Sequence, residues 1–378
     1  MSVSVENRPT RLRSAVAVLL AVLILVPAGY LFFRVWQTNS NERDNTKLEQ
    51  LGVEYLTVLS PLVSALAEAE SSALQGVSAP PPSLTAAVNG VSAVDQRVGD
   101  ALGTRERWTG LREKIGRLPS ATTDVLQAHV EVADLTLALY NAVRNNSTLV
   151  RDPDNDLSNL QQAVGVDLPT TVTQVSRMGD LALLLSGAGA AQQATLGPQF
   201  GAAVQAVNTA VGSLTDHLQA AVDDTNSATL SGNLVSSLDG FRRGVESLTR
   251  GANPGGKPDG SVMAIAQSQV QTALIALSGT TIREMTGLLK DRLDNLDTQR
   301  IEALVAAGAL VLLVLVALIL PLTGRRRRVT SRRTPGDTTR GMSVSQAEAE
   351  RGYGNHLDQM PTYGEVNPTR RERSGALR

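Results

Sequence analysis

Two long apolar stretches dominate the pattern of apolar and polar positions along the chain. The first covers residues 14–33, and the second covers residues 301–323, with no charged residue from Ala303 to Leu322. About 20 apolar residues at a rise of about 1.5 Å per residue cross the roughly 30 Å hydrocarbon core of a bilayer. We therefore predict one transmembrane helix in each stretch, with the lipid bilayer as a partner.

The charges beside these stretches predict their orientation. Arg8, Arg11 and Arg13 precede the first stretch and four arginines, Arg325 to Arg328, follow the second. An excess of Arg and Lys beside a span marks its cytoplasmic side. The prediction is a two-pass protein of the cell (plasma) membrane with both termini in the cytoplasm, comprising residues 1–13 and 324–378, and with residues 34–300 outside.

A cleavable signal sequence is the alternative interpretation of residues 14–33. The apolar part of such a signal is about 7 to 15 residues long and ends in small residues. Here the apolar stretch is longer and ends in bulky aromatic side chains, Tyr30, Phe32, Phe33 and Trp36. These favour an uncleaved span with aromatic residues at its interface.

Between the two stretches, apolar residues recur every three or four positions, which is typical of amphipathic helices. Prolines and glycines interrupt this pattern and mark the helix ends. The predicted fold class is all-α, with two transmembrane helices flanking an elongated extracytoplasmic helical bundle. The last helix is predicted to continue without a break into the second span. The predicted helices cover about residues 39–75, 84–118, 120–143, 156–185, 199–222, 229–249 and 261–320.

A weak internal repeat relates residues 81–102 to residues 197–218. The alignment matches Val91 with Val207 and Leu102 with Leu218. Two stacked four-helix-type modules would produce such a repeat. Amphipathic helices rich in Ala and Val also match one another by chance, so both readings stay open.

Charge is distributed unevenly along the chain. Residues 34–300 hold 20 basic and 28 acidic side chains, whereas residues 324–378 hold 12 basic and 6 acidic ones. This basic tail contains almost no Leu, Ile or Phe, and a segment with so little apolar surface is predicted to be disordered.

The sequence contains no pattern typical of catalysis. It has no cysteine and only three histidines, which are far apart, so neither a disulfide nor a His/Cys metal site is expected. No phosphate-binding glycine loop, zinc-protease motif or serine-nucleophile motif occurs. We predict that the chain is not an enzyme, has no cofactor and has no nucleic acid partner.

Three acids at alternating positions, Asp152, Asp154 and Asp156, follow a turn. A calcium loop would also need a glycine and a glutamate at fixed later positions, which are missing. Helix capping is the favoured interpretation, with Asp152 as the cap and Pro153 at the first helical position.

Arg144 and Arg151 are the candidate ligand-binding residues. They flank a turn that is predicted to lie far from the membrane, where they could hold an anion by charge-assisted hydrogen bonds. A solvated turn is the alternative. His129, at an apolar-face position, is either a core histidine or a pH sensor.

A polybasic patch follows the second span, and it consists of Arg325, Arg326, Arg327, Arg328, Arg332 and Arg333. Such a patch attracts anionic lipid, and a binding site for lipid or a protein partner is one interpretation. A plain orientation signal is the other. Phosphorylation of Thr330 or Ser331 would weaken the attraction.

Two patches resemble the extracytoplasmic input regions of bacterial two-span receptors, those of methyl-accepting chemoreceptors, sensor histidine kinases and GGDEF-type cyclases. One patch follows the pattern E-x-x-G-x-x-Y-L and comprises Glu49, Gly52, Tyr55 and Leu56. The other follows a pattern with Asp-Pro-Asp at its centre and comprises Leu149, Asp152, Pro153, Asp154, Asp156, Leu168 and Pro169. The resemblance implies a sensory function. No HAMP, kinase or cyclase pattern follows Arg328, so the expected protein lacks an output domain of its own.

The resulting functional hypothesis is a membrane-anchored, receptor-like sensory protein that signals through its basic tail to a separate partner. The alternative is a structural or scaffolding envelope protein that binds partners without signalling. The candidate partners are a second copy that forms a homodimer through the helical bundle and a cytoplasmic signalling or envelope protein.

Overall fold

In the computed structural model, the described residues are 9–119, 125–150, 152–225, 227–252 and 257–323. Every regular element within these ranges is a helix, so the predicted all-α class is confirmed. A five-residue π-helical segment, named π1, joins α5 to α6. The elements are α1 (Pro9–Leu74), α2 (Pro82–Val98), α3 (Arg105–Ile115), α4 (Val125–Asn146), α5 (Asn155–Gln162), π1 (Ala163–Asp167), α6 (Leu168–Gly187), α7 (Ala190–Asp224), α8 (Ala228–Gly251) and α9 (Gly260–Thr323).

Two helices are far longer than the rest. α1 has 66 residues and α9 has 64, so each is about 100 Å long at about 1.5 Å per residue. Both are long and apolar enough to cross a membrane by length and composition. The prediction that the last helix runs unbroken into the second apolar stretch is confirmed, since α9 continues from Gly260 to Thr323.

The two apolar segments face each other along a narrow seam. Most of their large side chains are exposed, but on each helix one stripe is partly buried. Its members are spaced three and four residues apart, as in a coiled-coil seam. The Arg300 guanidinium lies 4.0 Å from the ring centre of Trp36 at the end of this seam. The stripes are Ala21, Leu25, Ala28, Phe32 and Trp36 on α1, and Ala303, Ala307, Leu310, Val314 and Leu318 on α9.

Beyond the apolar segments, α1, α6 and α9 pack on one another and form the centre of the bundle. The helices α2 and α4 pack on α1, α7 packs on α6, and α8 packs on α9. Their buried apolar side chains belong to one connected core. Within it, Val91 and Val207 of the weak repeat are both buried, as are Leu102 and Leu218.

The prediction of one helix over residues 84–118 is wrong. A turn separates α2 from α3, and Gly103 adopts a left-handed backbone there with φ 58°. Asp95 stabilises the turn because its Oδ1 atom accepts hydrogen bonds from Thr104 Oγ1 (2.7 Å) and from Tyr55 Oη (2.8 Å). These buried hydrogen bonds hold a turn at a place where the apolar spacing alone predicts a continuous helix.

The predicted start of the helix over residues 199–222 is also wrong. α7 begins at Ala190 rather than near residue 199, and Pro198 lies inside it. Pro198 is the ninth residue of α7, so it removes one intrahelical hydrogen bond, and the helix continues through it. The predicted helix start at Ser120 lies outside the described residues.

Candidate functional site

A buried ionic group joins α1, the turn before α5, and α9. We name it the Arg292 cluster, and it consists of Glu49, Asp152, Asp154, Gln161 and Arg292. The Arg292 guanidinium donates from Nη1 to Asp152 Oδ2 (2.8 Å) and from Nη2 to both Asp152 Oδ1 and Asp154 Oδ2 (2.5 Å). Nη1 also lies 3.6 Å from Glu49 Oε2. One arginine therefore connects two long helices to the same turn.

The backbone of the turn positions its acids. Asp152 Oδ1 accepts a hydrogen bond from the backbone N–H of Asp154 (2.9 Å), and Gln161 of α5 donates to Asp152 Oδ2 (3.2 Å). The Asp152 side chain is completely buried, whereas that of Asp154 is 64% exposed. Asp152 is therefore the buried carboxylate of the cluster, and Asp154 is the carboxylate at its solvent-exposed side.

The prediction that Asp152 caps a helix whose first residue is Pro153 is wrong. α5 begins at Asn155, and the residue at its cap position, Asp154, makes no side-chain capping hydrogen bond. The carboxylates that were expected to cap the helix bind Arg292 instead, since a guanidinium offers them stronger, charge-assisted hydrogen bonds.

On α1, the residues of the E-x-x-G-x-x-Y-L pattern lie on one face and all contact the bundle. Glu49 faces Arg292. A Cβ atom at Gly52 would collide with Ser147 Oγ and Cβ, so the absence of a side chain lets the turn after α4 approach closely. Tyr55 is fully buried and bonds Asp95. This pattern therefore marks where the rest of the bundle packs on α1.

The cluster holds three carboxylates and one guanidinium, so its charges do not balance. Burial, and then the negative charge of Asp152, raise the pKa of Glu49 to about 7, although Arg292 opposes this shift. Burial disfavours the charged form of Arg292, but its hydrogen bonds to Asp152 and Asp154 keep its pKa above the ordinary value. Glu49 therefore exchanges a proton near neutral pH, while Arg292 stays charged.

An open cleft of about 600 Å³ lies beside the cluster. Acidic side chains line much of it, with Leu288 and Leu296 among the apolar contacts. Among the described residues, no group of three His, Cys, Asp or Glu side chains is placed to hold a metal ion. The acids that line the cleft are Asp154, Asp156, Asp224 and Asp291. The Arg292 cluster itself is suited to joining helices.

The position of this turn differs from the prediction. Arg292, which contacts it, is 11 residues before Ala303, the start of the uncharged stretch of α9, which is about 16 Å of helix. The turn therefore lies near the apolar segments rather than at the far end of the bundle. This position arises because α4 ends beside α1 near Gly52, in the part of the bundle next to the apolar segments.

Of the two predicted anion ligands, Arg144 is described and Arg151 lies outside the described residues. Arg144 donates from Nε to the carbonyl oxygen of Leu149 (3.0 Å) and from Nη2 to Gln162 Oε1 (2.6 Å). Burial lowers its pKa, although the nearby Asp167 opposes this. The guanidinium thus joins the turn to α5, and its role in binding an anion stays a prediction. All residues of the polybasic patch also lie outside the described residues.

Sequence reasoning missed Arg292, although the pattern contained a signal. Met285, Leu289 and Leu296 are buried on one face of α9, and Arg292 occupies the position between the last two at the same spacing of three and four residues. A charged residue on a buried helix face needs a partner of opposite charge. The sequence did not reveal that this partner lies 140 residues away.

Comparison with known proteins adds no further assignment. No family model, no curated protein and no solved structure matches this chain.

Proposed function

We propose that the chain is a two-span protein of the plasma membrane, with residues 14–33 and 301–323 as its spans. Exposed apolar side chains on α1 and α9 support this proposal, because lipid would cover them. Basic residues on the outer flanks of both stretches support cytoplasmic termini, with residues 34–300 outside.

The function that we infer is that of a receptor-like sensor. The Arg292 cluster carries this proposal, because it attaches one turn of the outer bundle to both helices that continue into the apolar segments. A change in packing around the turn would move α1 relative to α9, and rigid helices transmit such shifts along their length. The cytoplasmic basic tail, with the polybasic patch, would pass the signal to a separate partner.

A structural envelope protein is the second candidate, and one observation favours it. The two long helices are joined at further levels just outside the apolar segments. Asn39 Nδ2 donates to the carbonyl oxygen of Leu296 (3.1 Å), and Arg43 Nε donates to Asp297 Oδ1 (2.7 Å). A pair of helices held at several levels would serve well as a rigid support. A homodimer formed through the bundle is compatible with either function and stays a prediction.

Cysteine cross-linking distinguishes the two candidates, since the chain has no cysteine of its own. Ala28→Cys and Ala307→Cys place thiols on the facing stripes of the seam, in the register set by Trp36 and Arg300. In the sensor, Arg292→Lys, which keeps the charge but loses the two-pronged contact, changes the rate of disulfide formation at this seam severalfold in lipid nanodiscs.

The matched control is Arg105→Lys, because Arg105 forms an exposed ion pair with Asp100 far from the seam. It should leave the cross-linking rate unchanged. Equal rates in the wild-type background and in Arg292→Lys would contradict the sensory proposal and support the rigid envelope protein.

A further inference from the structure

A second group of buried acids lies where α1, α4 and α6 meet, far from the apolar segments. Glu70 of α1 is 4% exposed and Asp180 of α6 is 1% exposed. Ser176 Oγ donates to Asp180 Oδ2 (3.3 Å). Glu70 Oε1 and Asp180 Oδ1 are buried and have no hydrogen-bond partner among the described residues. Buried carboxylates without partners are costly, so this pair requires an explanation.

The basic groups nearby offset the negative charge of the pair only in part. Arg177 of α6 is close enough to act on Glu70 electrostatically, but its Nη2 atom donates to Asp134 of α4 (2.5 Å). His129 of α4 is 4% exposed and faces the same space. Burial lowers the pKa of His129 and so favours its neutral form.

The remaining neighbours are uncharged or face elsewhere. α9 contributes the buried amide of Gln267, which packs so closely on Gly179 of α6 that a Cβ atom there would collide with it. Glu68 of α1 points to α2, where it accepts a hydrogen bond from Ser83 Oγ (2.6 Å). No ion pair to Glu70 or Asp180 is formed by a described Arg, Lys or His side chain.

A cavity next to Glu70 limits the ligands that could bind here. Its volume is about 10 Å³, which is close to the minimum for one water molecule and too small for an organic ligand. The described acids and histidines do not form a metal-binding group. The proton is the ligand that this space and these groups fit, and the lining includes Glu70, His129, Thr136, Thr173 and Ser176.

We propose that Glu70 and Asp180 form a proton-binding site that holds α1 against α6 when a proton is bound and loosens this contact when both carboxylates are charged. The proton comes from solvent and converts one carboxylate to a neutral carboxylic acid, which removes a buried negative charge that has no counter-charge in an ion pair. The inference deepens the proposed sensory function by naming its ligand, and it rests on that function only for the consequence at the membrane.

The electrostatics support this assignment. Burial raises the pKa of Glu70 from 4.5 to about 7, with Arg177 opposing the shift. Burial, and then the charge of Glu70, raise the pKa of Asp180 well above its ordinary value. Between pH 4.5 and about 7, Glu70 binds a proton more tightly in the folded protein than in the unfolded chain. The free energy of unfolding therefore falls as the pH rises through this range. His129 has the opposite effect, because its neutral form is favoured in the folded state and stability falls as the pH drops.

The experiment measures denaturant-induced unfolding of the full chain in lipid nanodiscs by circular dichroism at about pH 5 and about pH 8. In a Glu49→Gln background, which removes the other carboxyl with a similarly raised pKa, the unfolding equilibrium constant should rise on the order of tenfold or more between the two pH values. Adding Glu70→Gln should remove most of this rise.

Glu68→Gln is the matched control, since Glu68 is two residues away on the same helix and is exposed. It should keep the full pH dependence. If Glu70→Gln and Glu68→Gln showed the same pH dependence as their background, the proton site would be overturned.

A second measurement does not depend on a stable variant. The infrared carbonyl band of a protonated carboxyl group should be present at about pH 6.5 in the Glu49→Gln background, and it should disappear as the pH rises through about 7. Absence of a protonated carboxyl band at about pH 6.5 would overturn the proposal even if Glu70→Gln failed to fold.

The consequence at the membrane has its own readout. If the sensory function is right, the cross-linking rate of Ala28→Cys with Ala307→Cys, normalised to thiol ionisation, changes with pH in the Glu49→Gln background and no longer changes when Glu70→Gln is added. A pH-dependent stability with a constant cross-linking rate would leave the proton site intact and count against the sensory function alone.

Discussion

The Arg292 cluster and the Glu70–Asp180 pair are both groups of buried acids that link α1 to other helices, but only the first contains a cation. Asp152 shares two hydrogen bonds with Arg292, whereas Asp180 accepts one hydrogen bond, from Ser176 Oγ. The difference shows how the partner decides the role of a buried carboxylate. A buried carboxylate that pairs with a guanidinium forms a permanent contact. A buried carboxylate without one forms a contact that, in our proposal, depends on a bound proton.

The two regions also lie at different distances from the apolar segments. Arg292 is eight residues from Arg300, whereas Glu70 is 34 residues from Trp36, or about 50 Å along α1. The charged contact therefore lies next to the apolar segments, where it holds α1 and α9 in register. The proposed proton-dependent contact lies far from the apolar segments, in the part of the bundle where α1 packs on α6.

The largest expected effect comes from removing the cation. Arg292→Ala leaves the buried Asp152 without a counter-charge, and breaking a buried ion pair in this way costs about 3–5 kcal/mol of unfolding free energy. Denaturant unfolding of the full chain in nanodiscs measures this loss. Arg105→Ala, which breaks an exposed ion pair, should cost less than about 1 kcal/mol. Similar losses in both variants would mean that the Arg292 cluster is not a strong contact.

The same chemical change should have opposite effects in the two regions. Asp152→Asn weakens a charge-assisted contact and should destabilise the protein by about 2–4 kcal/mol at about pH 8. Asp180→Asn removes a charge that burial and Glu70 oppose, so it should stabilise the protein by about 1–2 kcal/mol at that pH. Unfolding free energies of the two variants at one pH test this, and effects of the same sign would refute the contrast between the regions.

The smallest expected effect concerns Glu49, which shares features of both regions because it is buried near Arg292 but has a pKa of about 7. Its stability contribution should fall as the pH rises from about 4.5 to about 7, since the folded state holds the proton more tightly. Glu49→Gln should therefore stabilise the protein by about 1 kcal/mol at about pH 8 and have little effect at about pH 5. Equal effects at both pH values, measured by denaturant unfolding, would show that Glu49 stays charged throughout.

Much of the helical architecture could be predicted because it depends on local patterns. The spacing of Leu48, Leu59 and Leu66 predicts a helix that α1 contains, and the bounds of α8 differ from the predicted ones by at most two residues. Two of the errors, at the break between α2 and α3 and at the expected Asp152 cap, arose where a tertiary contact competed with the local pattern. Asp95, bonded by Tyr55 and Thr104, is the example at the break between α2 and α3.

The candidate site was predicted only in part. The Asp-Pro-Asp turn was recognised as unusual, but its partner on α9 was not identified. Arg144 was selected for its charge, and the structure places it against Leu149 and Gln162. The burial of Glu70 and Asp180 was not predicted, because an acid in an amphipathic helix is usually on the exposed face. Only the packing of α1 on α6 shows that both are buried.

By itself, the sequence determined the all-α class, the two apolar stretches and the continuity of α9 from the bundle into the second stretch. These features depend on composition and on periodicity within one helix, which neighbouring residues fully specify. The tertiary structure alone decided which acid has a cation and which does not. Asp152 and Arg292 are 140 residues apart, and their meeting depends on the register between separate helices, which local periodicity does not contain.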